Sequence, residues 1–293
     1  MLPKGKIVAS TINIAPLSDV MGASVRGIDL RKPVDLSTQK LLFDLFVKHV
    51  VLCFPDQQLA AADQLRFANF FGRGDGGDRV KKRDENKRRT GERGMMYVSN
   101  IRENGKLIGV LPDGEMMFHS DGAHRSSPYR ATTLYGIKIP SRGGDTLFAN
   151  LYKAYDALPL KTKTLVENLV TRIVYDYEAV DRAHTIAANP VLPRARHSLV
   201  KVHPNTGQKT LYLSRLMTQD IVDMPAAEGE DLLLELFDHC EKPEFVYAHK
   251  WKVNDLLIWD NRCSNHARTD FPPDEQRMLR RYTVSEPDAP VEK

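Results

Sequence analysis

Two distant stretches of the chain carry residue types that together can hold a redox metal. Phe118-His119-Ser120-Asp121 places an imidazole and a carboxylate two positions apart. On an extended strand, positions i and i+2 face the same side, so both could point at one ion. Nine histidines are spread over the chain, so one such tripeptide is expected by chance and carries little alone. Far downstream, the apolar run Leu256-Leu257-Ile258-Trp259 enters the polar turn Asp260-Asn261-Arg262 and leads to His266. Two imidazoles and one carboxylate form a facial set for non-haem Fe(II). Its other positions stay open for a bidentate cosubstrate and O2. No thiolate belongs to the set, which favours iron over a structural zinc.

Arg277 and Arg281 follow His266, and on a strand they share a face. A guanidinium fork suits a carboxylate, because it donates two parallel hydrogen bonds. The Gly143-Gly144-Asp145-Thr146 turn offers a hydroxyl as a third contact.

Short strands and flanking helices must hold these groups. Asp35–His49 reads as an amphipathic helix with Leu41, Leu42, Leu45 and Phe46 on one face and Ser37 as cap. Val50–Phe54, closed by Pro55, reads as a buried strand, and Asp63–Phe71 as a second helix stopped by Gly72. Asn104-Gly105 marks a hairpin within the region after Met95–Ile101, itself a strand candidate. Ala131–Lys138 and Thr146–Ala149 read as strands, and Leu151–Leu158, Leu160–Val170 and Ala226–His239 as helices. The segments Val200–His203 and Thr210–Leu213 flank a second hairpin turn, and Asp255–Trp259 and Leu279–Val284 close the chain as strands. Strands are not regularly followed by helices, which argues against a doubly wound parallel sheet and for an α+β barrel or jelly roll.

The composition, 42% hydrophobic and 27% charged over 293 residues, is that of an ordinary globular protein and excludes disorder, collagen and coiled coil. Cys53, Cys240 and Cys263 are an odd set without a C-x-x-C pair, which excludes a disulfide framework and fits a reducing, cytoplasmic location. No apolar run approaches the 18 or so residues of a membrane helix, and no signal-peptide core is visible at the start. The net charge of +4 is local. Arg79–Arg93 carries Arg79, Lys81, Lys82, Arg83, Lys87, Arg88, Arg89 and Arg93 against Asp84, Glu85 and Glu92, leaving the rest near neutral. This run lacks interleaved aromatics, so nucleic acid is not the expected partner.

The set FHSD, GGDTLFAN, HKWKVNDLLIWDNRCSNH and the Arg277/Arg281 pair resembles the taurine dioxygenase/2,4-D dioxygenase (TauD/TfdA) family of Fe(II)/2-oxoglutarate oxygenases. The likeness runs from Ala23–Leu30 to Val284. It implies a double-stranded β-helix, a distorted jelly roll with flanking helices, built as a single domain over 1–293. It also implies His119, Asp121 and His266 as iron ligands. Thr146 and Arg277 would hold the distal carboxylate of 2-oxoglutarate, and Arg281 would touch cosubstrate and an anionic substrate. The family commonly forms dimers or tetramers.

The taurine enzymes carry an asparagine where this chain has Glu115, and their histidine and tyrosine after the Phe71-Gly72 turn have no counterpart. A small organic anion other than taurine is therefore expected: a carboxylate, sulfonate or sulfate ester. Glu115, Gly122 and Arg281 are the candidate substrate contacts, with the glycine-rich, basic segment 73–93 as a lid. Were Glu115 to face the pocket, an amino acid or other ammonium-bearing substrate would fit instead. A metal-dependent hydrolase or isomerase on the same barrel is the other reading, separated by its lack of need for 2-oxoglutarate. His124 is expected at the surface or pocket rim, Trp259 in the core, and Arg280 in solvent. Asp260 and Arg262 are expected to tie down the turn that aims His266.

Overall fold

The computed structural model describes residues 12–74, 94–110, 114–176, 179 and 181–288. Two sheets pack against each other to form the expected double-stranded β-helix. Among the described residues, the larger sheet runs Asn13–Pro16, Ala23–Arg26, Val51–Phe54, Leu256–Asp260, Tyr129–Lys138, Met278–Ser285 and Arg73–Gly74. Met96–Ser99 also pairs with Met278–Ser285. The smaller sheet runs Val246–His249, Thr146–Asn150, Ser264–Arg268 and Met116–His119. A third sheet, ordered Arg194–Ser198, Val170–Val174 and Thr218–Ile221, is built from the chain between Thr146–Asn150 and Val246–His249.

The strand Leu256–Asp260 explains its own unbroken apolar run, because all five residues are buried. Leu256 and Ile258 pack with Phe46 and Phe67, from the helices Leu36–His49 and Ala61–Ala68 on the outer face. Leu257 and Trp259 point the other way, into the cluster that holds Phe148 of the smaller sheet. A strand covered on both faces loses the polar half of its alternation. Burying each such large side chain contributes about 1.5–3 kcal/mol. The Trp259 ring lies 5.3 Å from Phe148 and 4.8 Å from His266, so the inter-sheet core runs up to the candidate ligands. Beyond the smaller sheet, Ala226–Cys240 buries Leu233, Leu236 and Phe237 against Leu151 and Ala154.

Local departures from the sequence expectations have local causes. Asp35, not Ser37, caps the first helix: its carboxylate accepts from Thr38 N–H at 2.8 Å and from the Ser37 hydroxyl at 2.6 Å. The helix expected over Leu160–Val170 stops at Val166, because Val170–Val174 pairs on both edges as a strand. β-Branched residues at Val170, Thr171, Ile173 and Val174 suit that pleat better than a helix. The Asn104-Gly105 hairpin forms as read, with φ of 51° and 76° between Arg102–Glu103 and Lys106–Leu107. The basic lid segment lies, from residue 75 to 93, outside the described residues. No helix among the described residues is long and apolar enough to cross a membrane.

Candidate active site

His119 ends the strand Met116–His119 and sits directly opposite His266 on Ser264–Arg268 in the antiparallel register. The two rings are 4.1 Å apart between centroids. Asp121 is not on the strand, as the i, i+2 argument assumed; it lies in a run of turns closed by Ala123 N–H to Ser120 O and Arg125 N–H to Gly122 O. Its carboxylate still joins the pair, with Oδ2 3.8 Å from His266 Nε2. The ligating atoms of His119, Asp121 and His266 all lie within 4.8 Å of one another.

The hydrogen bonds around the trio prepare it for a cation. His119 Nδ1 is 3.0 Å from Met117 O, which assigns the proton to Nδ1 and the lone pair to Nε2. Asp121 Oδ2 accepts from Thr132 Oγ1 at 2.6 Å, and Thr132 Oγ1 accepts from Asn261 Nδ2 at 3.0 Å. Asn261 Oδ1 in turn accepts from Trp259 Nε1 at 2.9 Å. The indole can only donate and the ionised carboxylate can only accept, so every direction in this chain is fixed. Asp121 Oδ1 takes Arg281 Nη2 at 2.6 Å.

Burial pushes the His266 imidazole down to about 3, with the nearby His119 adding to it. Burial also lowers His119. For Asp121 burial works against ionisation, but Arg281 and the two imidazoles outweigh it and hold the carboxyl well below the usual range. At neutral pH the trio therefore stands as two neutral imidazoles and one carboxylate, the forms that bind a metal. His266 Nδ1 is buried without a hydrogen-bond partner among the described residues. The donor set and its protonation fit a hard-to-borderline divalent ion such as Fe(II).

A second buried polar cluster surrounds Arg277. Arg277, 2% exposed, donates from Nε and Nη2 to Gly144 O at 3.2 and 3.0 Å. Its Nη1 is buried without a partner among the described residues. Burial, then the charge of Arg268, pushes its pKa down to about 9. A buried guanidinium N–H left unpaired costs about 1–3 kcal/mol or more, so the arrangement favours an anion there. Gly144 makes the approach possible: its φ is +66°, and a Cβ would fall 3.0 Å from Arg277 Nε. Two residues on, buried Thr146 accepts at Oγ1 from Trp251 Nε1 at 2.9 Å.

Arg268 was not read from the sequence. It pairs directly across from Thr146, two residues past His266, and is 6% exposed. Its guanidinium lies 5.7 Å from the Phe271 ring centroid. The signal was the same i, i+2 spacing that served for His119 and Asp121.

The other candidates divide. Glu115 is exposed just before Met116–His119, outside the buried trio. Gly122 is buried at φ +72°, and a Cβ there would meet the Tyr129 ring at 2.6 Å, which accounts for the glycine by packing. His124, expected at the surface or rim, is 7% exposed with its ring edge-on to Tyr175 at 4.6 Å. Arg280, expected in solvent, is buried: it donates to Gln64 Oε1 and Leu59 O at 2.8 and 2.9 Å beneath the first helices. Trp259 is core, and Arg262 clamps Asp260 at 2.8 and 2.6 Å, as read.

Two further buried groups, Cys53/His249/Asp255 and His203/Asp260/Cys263, bring ligand types equally close. Hydrogen bonds already use them: His249 Nε2 to Asp255 Oδ2 at 3.2 Å, and His203 Nε2 to Asp260 Oδ2 at 3.1 Å. Burial pushes both thiols up, so they stay protonated and ligate poorly.

Residues 13–283 match the family model described as taurine catabolism dioxygenase TauD, TfdA family. The chain is 31% identical over 278 residues to an alpha-ketoglutarate-dependent 2,4-dichlorophenoxyacetate dioxygenase of Cupriavidus pinatubonensis, covering 92% of this chain and 96% of that protein. It is 28% identical over 295 residues to an alkylsulfatase of Acinetobacter baylyi, covering 94% and 85%. A crystal structure of AAD-2 in complex with Mn(II) and N-oxalylglycine superposes with a TM-score of 0.77 at 31% identity, covering 96% of this chain and all of that one.

Proposed function

The chain belongs to the TauD/TfdA family of Fe(II)/2-oxoglutarate-dependent dioxygenases, and on that premise we propose that His119, Asp121 and His266 are its iron ligands and that Arg277 and Thr146 hold the distal carboxylate of 2-oxoglutarate. Arg281 faces the substrate in this reading. Iron held there supplies the oxidising chemistry, in which O2 and 2-oxoglutarate are consumed, succinate and CO2 leave, and one oxygen atom enters a substrate C–H bond.

The chain's own residues bind, orient and exclude water. Thr132 holds Asp121 Oδ2 and Arg281 pairs with Oδ1, so together they fix the orientation of the carboxylate beside the imidazoles. Arg277 offers its unpartnered Nη1 to the far end of the cosubstrate, and Gly144 holds that guanidinium in place. Trp259 and Phe148 press apolar surface against the His266 imidazole and keep bulk water out.

The substrate we propose is a small organic anion, a carboxylate, sulfonate or sulfate ester; where the hydroxylated carbon bears oxygen or sulfur, the product falls apart. Support comes from Arg281, a part-buried guanidinium beside the trio, and from relatives whose names specify a 2,4-dichlorophenoxyacetate dioxygenase and an alkylsulfatase. An ammonium-bearing substrate would need Glu115 at the site, and that residue is exposed. We read residues 1–293 as one oxygenase domain. The cytoplasm is its proposed location, because all three cysteines are free and buried.

The observation that carries the assignment is the meeting of His119, Asp121 and His266, from distant parts of the chain, in their metal-binding protonation forms. Anaerobic titration with Fe(II) and 2-oxoglutarate tests it. A weak visible charge-transfer band is expected in the wild type and absent in His119→Ala. Succinate release is then expected with aryloxyacetates or alkyl sulfates, and not with amines. Bound metal without the band would refute the assignment.

A further inference from the structure

We propose that Trp251 is a positioning residue for the cosubstrate: it fixes the hydroxyl of Thr146 so that its single proton points at the distal carboxylate of 2-oxoglutarate. This rests on the reading of Thr146 and Arg277 given above.

A threonine hydroxyl has one proton and can serve an anion only by donating it. Left alone, the hydroxyl rotates, and part of its time is spent aimed elsewhere. Trp251 Nε1 is a donor and nothing else, and it lies 2.9 Å from Thr146 Oγ1. Thr146 is thereby an acceptor toward the indole, and its own proton is directed onward. The same logic operates at Thr132, which accepts from Asn261 and donates to Asp121.

The indole is itself fixed by a buried assembly that the iron site does not use. Asp255 accepts from Lys252 N–H at 3.0 Å and lies 3.2 Å from His249 Nε2. Tyr247 Oη lies 2.9 Å from His249 Nδ1. An ionised Asp255 accepts only, so His249 carries its proton on Nε2 and takes the tyrosine proton at Nδ1. This fixed ring meets Trp251 edge-on, 4.9 Å between centroids at 85°. His249 also pairs directly with Thr146 across the strands, so the buttress and the hydroxyl sit side by side on adjacent strands.

The test is equilibrium binding of labelled 2-oxoglutarate to the Mn(II)-loaded protein without turnover, with pyruvate as a keto acid that lacks the distal carboxylate. Trp251→Phe is expected to weaken 2-oxoglutarate about five- to tenfold, since one hydrogen bond to a charged group loses its alignment. Pyruvate and Mn(II) binding are expected to stay as in the wild type. In a Thr146→Ala background the same substitution is expected to add less than about twofold, because coupled residues are non-additive. Unchanged 2-oxoglutarate binding, an equal loss for pyruvate, or full additivity would each overturn the proposal.

Should Trp251→Phe fold poorly, the wild type answers directly. The chain has two tryptophans, so its indole N–H resonances are two. With Zn(II) bound, the Trp251 resonance is expected to move on adding 2-oxoglutarate and not on adding pyruvate; no difference overturns the proposal. If Arg277→Ala and Thr146→Ala leave the preference for 2-oxoglutarate over pyruvate unchanged, it is the site reading that fails. If they abolish it and Trp251→Phe does not weaken it, only this inference fails.

Discussion

Replacing Thr132 by valine should uncouple metal affinity from the rest of the site. Thr132 is fully buried, and valine matches its shape, so the change deletes one hydroxyl and little else. That hydroxyl donates 2.6 Å to Asp121 Oδ2 and accepts 3.0 Å from Asn261 Nδ2. Asp121 and Asn261 are 2% and 1% exposed, so no water replaces it. Losing a hydrogen bond to a buried carboxylate costs about 1.5–3 kcal/mol, and stranding the amide donor adds about 1 kcal/mol, giving a loss of about 2.5–4 kcal/mol in folding stability. Outer partners of metal-binding carboxylates are typically worth 10- to 100-fold in metal affinity, so the Mn(II) or Fe(II) dissociation constant should rise by about that factor. The affinity for 2-oxoglutarate at saturating metal should not change, because Arg277 and Thr146 are untouched. Competition against a fluorescent chelator gives the first quantity and urea unfolding the second. Thr132→Ser keeps the hydroxyl and should stay near wild type. A Thr132→Val protein with wild-type metal affinity, or a serine variant as impaired as the valine one, would refute the reasoning.

Gly144→Ala should raise KM for 2-oxoglutarate at least several-fold and lower Tm, because φ +66° strains an alanine by about 1–2 kcal/mol and its Cβ would press on Arg277 Nε; steady-state kinetics with thermal melts check it, and an unchanged KM would dismiss the role of the close approach. Stability should fall as pH drops from 6.5 toward 4, because burial and then Lys201 push His197 down to about 4. The folded imidazole resists a proton that the unfolded one takes up in that window, so stability is fully present above 6.5 and is lost on acidification by at most about 1.4 kcal/mol per pH unit. Urea unfolding at pH 7.5 and 5 should show a smaller pH effect in His197→Gln by up to about 2 kcal/mol, and an equal effect in both proteins would exclude His197 as its source.

The ligand types, the two arginines and the sandwich architecture were legible because each leaves a local mark: an i, i+2 spacing, a glycine turn, or an apolar run bounded by Pro or a polar turn. The reason Asp121 belongs to the site was not legible, since the strand ends at His119 and a turn delivers the carboxylate. Arg280 looked solvated because only tertiary structure shows Gln64 and Leu59 O waiting for it beneath a helix. His124 looked peripheral because the strand argument extended a strand that had already stopped. The hydrogen-bond chain through Asn261 and Thr132 joins residues far apart in sequence, and nothing in either segment announces the other. The Val170–Val174 strand was missed where an apolar run adjoined a helix, the case that periodicity separates least well.

Among the described residues, Met116–His119 is one of the two edge strands of the smaller sheet, paired along one side with Ser264–Arg268 and bonded otherwise through Leu216 N–H to Phe118 O. Edge strands open locally at far lower cost than the whole fold. His119, a proposed ligand, therefore lies on an edge strand, while His266 sits on an interior one. In the proposed site, the residence time of a bound ion is expected to follow peeling of that edge and not global unfolding. Conversely, an ion bridging His119 to His266 staples the edge shut, so amide hydrogens of Met116–His119 should exchange more slowly in the loaded protein, while those of Leu256–Asp260 barely respond.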